Sequence, residues 1–152
     1  MTGCVAIIAT IYEEFGRGNI PAIVELLAAD VKWERWADDT AQTAGVPWLL
    51  ERDGKAGAEE FFRITGKFEI HEFRVVSLLG GGNQVAAEVV IDATVPTGRR
   101  YRDEELHVWT LNDDGKVMGL RHYVDTAKHI AAARPLIANV EKQIEPNDTQ
   151  GG

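Results

Sequence analysis

From Gln84 to Val124 the chain alternates with a period of two, the mark of strands whose successive side chains face opposite sides. Tyr101, Asp103, Glu105, His107, Trp109 and Leu111 share one face of a strand; Arg102, Glu104, Leu106, Val108 and Thr110 share the other. Asn112-Asp113-Asp114-Gly115 is a hairpin turn signal, and Lys116 to Val124 is the return strand, with Leu120, His122 and Val124 on one face and Arg121, Tyr123 and Asp125 on the other. Upstream, Ala87, Val89, Ile91 and Ala93 alternate with Glu88, Val90, Asp92 and Thr94 in a strand from Gln84 to Val95, closed by Pro96-Thr97-Gly98. Before the turn Gly80-Gly81-Gly82-Asn83, the stretch Phe68 to Leu79 is rich in β-branched and aromatic residues, and its imperfect alternation predicts a bulge.

The first third of the chain follows the helical period instead. Val5, Ile8, Tyr12 and Phe15 form an apolar stripe on a helix capped by Thr2 and ended by Gly16. Asn19 caps a second, short helix with Pro21 in its first turn and Ile23, Leu26 and Leu27 inward. Val31 to Trp36 is a short strand, in which Trp33 and Trp36 share a face only if the chain bends between them. Ala37 to Pro47 reads as a loop, Gly57 to Thr65 as a third helix with Phe61 and Phe62 inward, and Ala127 to Arg134 as a final helix capped by Thr126 and broken by Pro135. Helices followed by strands on short turns imply an α+β fold. One domain over residues 1–138 and a polar tail over 139–152 are expected.

Composition narrows the function classes. A length of 152 residues suits one core, and 45% hydrophobic with 26% charged residues is the balance of a soluble globular protein. A net charge of −8 argues against nucleic acid as a partner, since the sole basic cluster, Arg99, Arg100 and Arg102, is interrupted by acids. The single Cys4 fits a reducing compartment, and Val5 to Ile11 is too short to span a bilayer, so the expectation is a cytoplasmic protein with no membrane partner.

The strand ending in an aromatic residue, the DGKV turn and LRHYVDT resemble the last hairpin of the ketosteroid-isomerase-like superfamily, also called nuclear-transport-factor-2-like. Val46-Pro47-Trp48 followed by Gly57-Ala58-Glu59-Glu60-Phe61-Phe62 extends the resemblance over about residues 5 to 133, nearest to the ketosteroid isomerase-related branch. That superfamily includes the SnoaL-like polyketide cyclases and the limonene epoxide hydrolases. The resemblance implies a curved antiparallel sheet wrapped around helices, a cone-shaped cavity between them, and a homodimer through the outer sheet face, where Leu106 and Val108 lie. It also implies that the inward acid of the family's last strand is replaced here by His122. The strand carrying the isomerases' base reads Trp33-Glu34-Arg35-Trp36, where Glu34 is a poor substitute. The Arg-x-Asp pair of the epoxide hydrolases is absent, Val89 and Ile91 standing there.

Two histidines on adjacent strands facing one cavity are suited to acid–base work, because imidazole titrates near neutrality. The expected catalytic residues are His122 as base, His107 as donor to a developing enolate, and Glu105 beside them. Trp33, Trp36, Trp48, Phe62, Trp109 and Tyr12 are the expected walls for a small hydrophobic or aromatic molecule. Neither a metal nor a cofactor is expected. The leading function is a cofactor-independent isomerase, cyclase or lyase moving a proton on a hydrophobic carbonyl compound. The alternatives are a non-catalytic binding or sensor module using the same cavity, and an interaction protein with a filled core, signalled by a cavity well below about 300 Å³.

Overall fold

The computed structural model describes residues 3–136; Thr2, expected to cap the first helix, and the polar tail lie outside them. The elements run α1 (Cys4–Gly16), α2 (Ile20–Glu25), β1 (Leu27–Trp33), α3 (Thr40–Thr43), a 3₁₀ turn (Pro47–Leu49), β2 (Arg52–Asp53), α4 (Gly54–Thr65), β3 (Glu69–Gly81), β4 (Gln84–Thr94), β5 (Arg100–Leu111), β6 (Val117–Tyr123) and α5 (Thr126–Ala133). The six strands form one curved, unclosed sheet in the order β2-β1-β6-β5-β4-β3. Helix α4 packs on β1, α1 on β3 and β4, and α5 on β5, so the helices line the inner face of the sheet.

The period-two reading places the long strands well. Tyr101, Asp103, Glu105, His107, Trp109 and Leu111 are all buried on the inner face of β5. β3 carries irregularities between Ile70 and Glu72 and between Val75 and Ser77, so the bulge expected from its alternation occurs twice. Each extra residue bends the strand, and the second turns Val76 outward, 51% exposed. The β3–β4 turn is tighter than expected: the strand continues through Gly81, and Gly82 takes the left-handed conformation, φ 59°. In the β5–β6 turn the Asn112 side chain accepts from the amides of Asp114 and Lys116 at 3.0 Å, with Gly115 at φ 76°.

Several expectations are corrected. The sheet is not wholly antiparallel, since β1 runs parallel to β6. No hairpin joins these two strands, and the long intervening chain permits either direction. Leu27 belongs to β1 rather than to the second helix, and the expected loop from Ala37 contains α3, capped by the Asp39 side chain. α4 begins at Gly54, where φ is 71°, rather than at Gly57. The cap position of α5 is Asp125, not Thr126.

In α1 the buried positions are Ile8 and Ile11, whereas Val5 at the start of the stripe is 37% exposed. Removing buried methylenes costs transfer energy plus a cavity, about 2–5 kcal/mol for Ile→Ala. Ile8→Ala is therefore expected to lose about that much in urea unfolding, and Val5→Ala less than about 1 kcal/mol. Equal losses would mean that α1 is rotated from this packing.

Candidate active site

The inner face of the sheet and α1, α4 and α5 enclose a cavity of about 80 Å³ lined almost entirely by apolar and aromatic side chains. Of the expected walls, Tyr12, Trp33, Trp48, Phe62 and Trp109 line it, as do His107, His122 and Glu105. Its volume is below the roughly 300–1,000 Å³ of ordinary ligand sites, which by size alone matches the filled-core expectation. Trp36 does not line it. Its indole donates to Glu34 Oε2 at 2.9 Å, its ring meets Tyr123 edge-on, and Arg121 lies over it.

The largest departure from expectation is at Glu34, which is 1% exposed. Successive residues in a strand face opposite sides, yet Trp33 and Glu34 are both buried. The chain accomplishes this by adopting φ 58° at Glu34, the sole non-glycine in the left-handed region among the described residues. Such a conformation costs on the order of 1–3 kcal/mol and persists only where its surroundings fix it. They do so here. The Glu34 amide donates to Leu120 O at 2.9 Å, and its carbonyl accepts from Gln42 Nε2 at 2.7 Å. Glu34 Oε1 accepts from the His122 amide at 2.7 Å and faces His122 Nδ1 at 2.5 Å. Since Oε1 already accepts that amide and Oε2 the Trp36 indole, the carboxyl presents acceptors, and Nδ1 of His122 carries the hydrogen. His122 Nε2 has no hydrogen-bond partner among the described residues, and in the neutral ring it is a lone pair.

His107 is placed differently. Its Nε2 lies 3.0 Å from Glu105 Oε1 and its Nδ1 2.7 Å from the Tyr12 hydroxyl, which itself accepts from Trp109 Nε1 at 3.0 Å. Burial alone would raise the pKa of Glu105, but hydrogen bonds from His107 and His129 outweigh it and hold the carboxyl well below the usual range. Burial, and then the neighbouring His122, depress the pKa of His107. Burial also holds the Tyr12 proton in place, pushing its pKa up. These directions agree on one arrangement: Trp109 donates to Tyr12, Tyr12 to His107 Nδ1, and His107 Nε2 to ionised Glu105. Both His107 nitrogens are engaged, so the enolate-donor role expected for it has no hydrogen to use. His107 and His122 remain neighbours, with ring centroids 4.3 Å apart.

The sequence reading passed over His129, which is 1% exposed on α5. Its Nε2 lies 2.8 Å from both Asp103 Oδ2 and Glu105 Oε2, and the Trp48 indole donates to its Nδ1 at 2.9 Å. Burial opposes a charge on this ring, while the hydrogen bonds to Asp103 and Glu105 favour one and work to raise its pKa. The indole hydrogen acts against that rise, because a protonated Nδ1 would meet it donor to donor. Indole is only a donor, so the contact requires a neutral ring with its hydrogen on Nε2. The same tautomer bears on metal binding. Asp103, Glu105 and His129 form a buried three-residue cluster, but with hydrogen on Nε2 and the Nδ1 lone pair on Trp48, the cluster lacks its nitrogen ligand. Asp103 Oδ2 also accepts from the Asp125 amide at 3.2 Å, at the start of α5.

The depressed pKa values set the response to acid. A His107 pKa below its unfolded value of about 6.5 means that the unfolded chain binds the proton first. Its contribution is complete above about pH 6.5 and is lost as pH falls through that value. Glu105 acts in the same direction below about pH 4.3, its ordinary unfolded value. The groups facing His107 are Tyr12, Glu105 and His122. His129, whose bonds to Asp103 and Glu105 act with the opposite sign, is common to the native protein and His107→Gln, so the comparison isolates His107: between pH 7.5 and 5.5 the urea midpoint of the native protein should lose ground relative to that of His107→Gln, whose amide does not titrate. Identical pH dependence in the two proteins would show that His107 is not buried neutral.

With the geometry in place, comparison identifies the family. A family model described as a SnoaL-like domain matches residues 8–119, ending just short of His122. The fold is similar to that of a nuclear-transport-factor-2-like protein from Burkholderia thailandensis, with a TM-score of 0.72 and 22% identity over 89% of this chain and 100% of that one. A nuclear-transport-factor-2-like protein of unknown function from Burkholderia pseudomallei is similar at a TM-score of 0.70 and 21% identity, over 88% and 98% of the two chains. SalBIII, an epoxide hydrolase/cyclase-like enzyme in pyran ring formation in the polyether salinomycin, is similar at 0.61 and 22%, over 80% and 90%. No curated protein sequence matches. At these identities the likeness of the structures speaks for the fold alone. The family match covers most of the chain, and the inward hairpin and the cone of helices and sheet agree with it: the chain belongs to the SnoaL-like domain family.

Proposed function

We propose that the protein is a cofactor-independent isomerase, cyclase or lyase that moves a proton on a small, hydrophobic carbonyl compound. The observation that carries this reading is the His122–Glu34 pair, a buried carboxylate holding Nδ1–H while the Nε2 lone pair stays unpartnered beside an apolar cavity. Nε2 takes a proton from the carbon next to a carbonyl. The C–H electron pair becomes a carbon–carbon double bond, and the carbonyl π pair moves to oxygen, giving an enolate and an imidazolium. Glu34 stays bonded to Nδ1–H and stabilises that cation. Where the substrate carries a β,γ carbon–carbon double bond the anion is a dienolate, and returning the proton to its γ-carbon moves the double bond into conjugation and completes an isomerisation. Attack of the enolate carbon on a second carbonyl, with the proton passed to the new alkoxide, completes a cyclisation.

The cavity limits the substrate. At about 80 Å³ the cavity is small for a ligand site. A flat molecule of ring size enters by displacing Phe68 and Phe73, which are half-buried lining residues. His122→Ala is expected to slow deuterium exchange at the α-carbon of small cyclic ketones, followed by NMR, by about 10²–10⁴-fold, the usual contribution of a positioned base. Glu34→Gln should slow it less, with little change in KM. Exchange at the native rate in His122→Ala would reject the base. A compound retained through purification but never turned over would favour the binding-module reading.

We also propose a homodimer through the outer sheet face. Leu79 and Tyr123, 57% and 44% exposed, flank Ala86, Leu106 and Val108 there, a row of apolar side chains that a second copy would cover. Sedimentation equilibrium at micromolar concentration should give twice the chain mass; a monomer would sink this assembly.

A further inference from the structure

The indole nitrogen of Trp33 is the one buried side-chain polar atom among the described residues without a hydrogen-bond partner. The other three tryptophans each donate: Trp36 to Glu34, Trp48 to His129 and Trp109 to Tyr12. A buried indole N–H ordinarily finds an acceptor, and one that lacks it calls for a reason. Trp33 is fully buried and lines the cavity, with Phe61, Phe62 and Trp109 packed about its ring at centroid distances of 5.3–6.0 Å. None of these three rings offers a lone pair, and no other acceptor among the described residues reaches the indole nitrogen. His122 stands on the same wall, its ring stacked on Phe61 at 5.4 Å, and Phe61 is the neighbour that Trp33 and His122 share.

We propose that the Trp33 N–H anchors the acceptor oxygen of the molecule that the cavity takes, and that this molecule is an uncharged carbonyl compound. The donor supplies the oxygen contact that His107, bonded at both nitrogens, does not. Charge selects the neutral form. Glu34, Asp103 and Glu105 are buried at or behind the cavity wall, and a carboxylate or phosphate ligand would meet them in a low-dielectric interior where no Lys or Arg among the described residues lines the cavity. The left-handed backbone at Glu34 ties the two halves together, because it lets adjacent residues supply the oxygen anchor and the support for the His122 lone pair. When negative charge develops on that oxygen, a donor already held in place by three aromatic rings needs no reorganisation. The proposal rests on the cavity being a ligand site; it does not require His122 to act as a base.

The test uses the full chain labelled with ¹⁵N at tryptophan, with the Trp33 indole resonance assigned by its loss in Trp33→Phe. Cyclopentanone and methylenecyclopentane have nearly the same shape, and only the first carries an acceptor oxygen. The ketone should move the Trp33 N–H proton downfield and bind roughly five- to tenfold more tightly than the hydrocarbon, the worth of one neutral hydrogen bond. In Trp33→Phe that preference should vanish while the hydrocarbon still binds. Ketone binding that shifts Trp109 but leaves Trp33 unmoved would overturn the anchor, as would equal affinities in the native protein or no binding of either compound. Deuterium exchange in His122→Ala separates the two proposals: an intact Trp33 shift with an unchanged exchange rate sinks the base alone.

Discussion

Everything in the interior turns on the burial of carboxyl groups inside an apolar cone. Three of them, Glu34, Asp103 and Glu105, are less than a tenth exposed, and a buried anion without donors is costly enough to unfold a domain of this size. Each is met by a histidine. Glu105 receives His107 and His129, Asp103 shares His129, and Glu34 holds His122. Because each imidazole gives one hydrogen to a carboxylate, its second nitrogen is left as an acceptor, and Tyr12 and Trp48 then satisfy two of the three. Among the described residues, His122 Nε2 and the indole hydrogen of Trp33 are left without a partner. Those two open ends lie on one wall of one cavity.

The parts of this arrangement legible in the sequence are those governed by local periodicity. On β5, period two puts Asp103, Glu105, His107 and Trp109 on one face, and pairing with β6 sets His107 opposite His122. Strand register needs nothing beyond alternation and a turn, and both were written in the chain. Glu34 was illegible for the converse reason. Its burial depends on breaking alternation through a left-handed backbone that glutamate seldom adopts, and the acceptors and donors that hold it there come from Gln42, Leu120 and His122, far apart in sequence. The available signal was the spacing of Trp33 and Trp36, which already demanded a bend between them. His129 was missed because a short final helix gives no sign of which residue it aims at the sheet.

The direction of a hydrogen bond is what reassigns His107. Alternation can bring two histidines to one cavity, but it cannot say which nitrogen is free. A residue whose two nitrogens are both engaged serves as scaffold: it keeps Glu105 ionised and aligns Tyr12 against Trp109. The neighbouring His122, with one nitrogen on a carboxylate and the other bare, has the asymmetry that proton transfer requires. The same accounting removes the metal reading at Asp103, Glu105 and His129, where three ligand types stand close together but the tautomer set by Trp48 spends the nitrogen lone pair elsewhere.

Membership of the SnoaL-like family accounts for the cone, and a fold of this kind hosts many reactions. In this chain the carboxylate of Glu34 stands behind an imidazole that lines the cavity. A carboxylate facing an apolar cavity must be kept ionised against burial before it can accept a proton, and it remains a weak base, with an ordinary pKa near 4. Setting a carboxylate behind an imidazole changes both terms. The group at the cavity is an imidazole, so no bare anion is exposed to the apolar wall, and imidazole is intrinsically the stronger base by more than two pKa units. In the proposed proton transfer the charge formed on it is met by Glu34, already held by an amide and an indole. The strained backbone at Glu34 is what makes that proposal structurally available: it lets one short segment turn a carboxylate inward behind His122 while Trp33, its neighbour in sequence, lines the cavity.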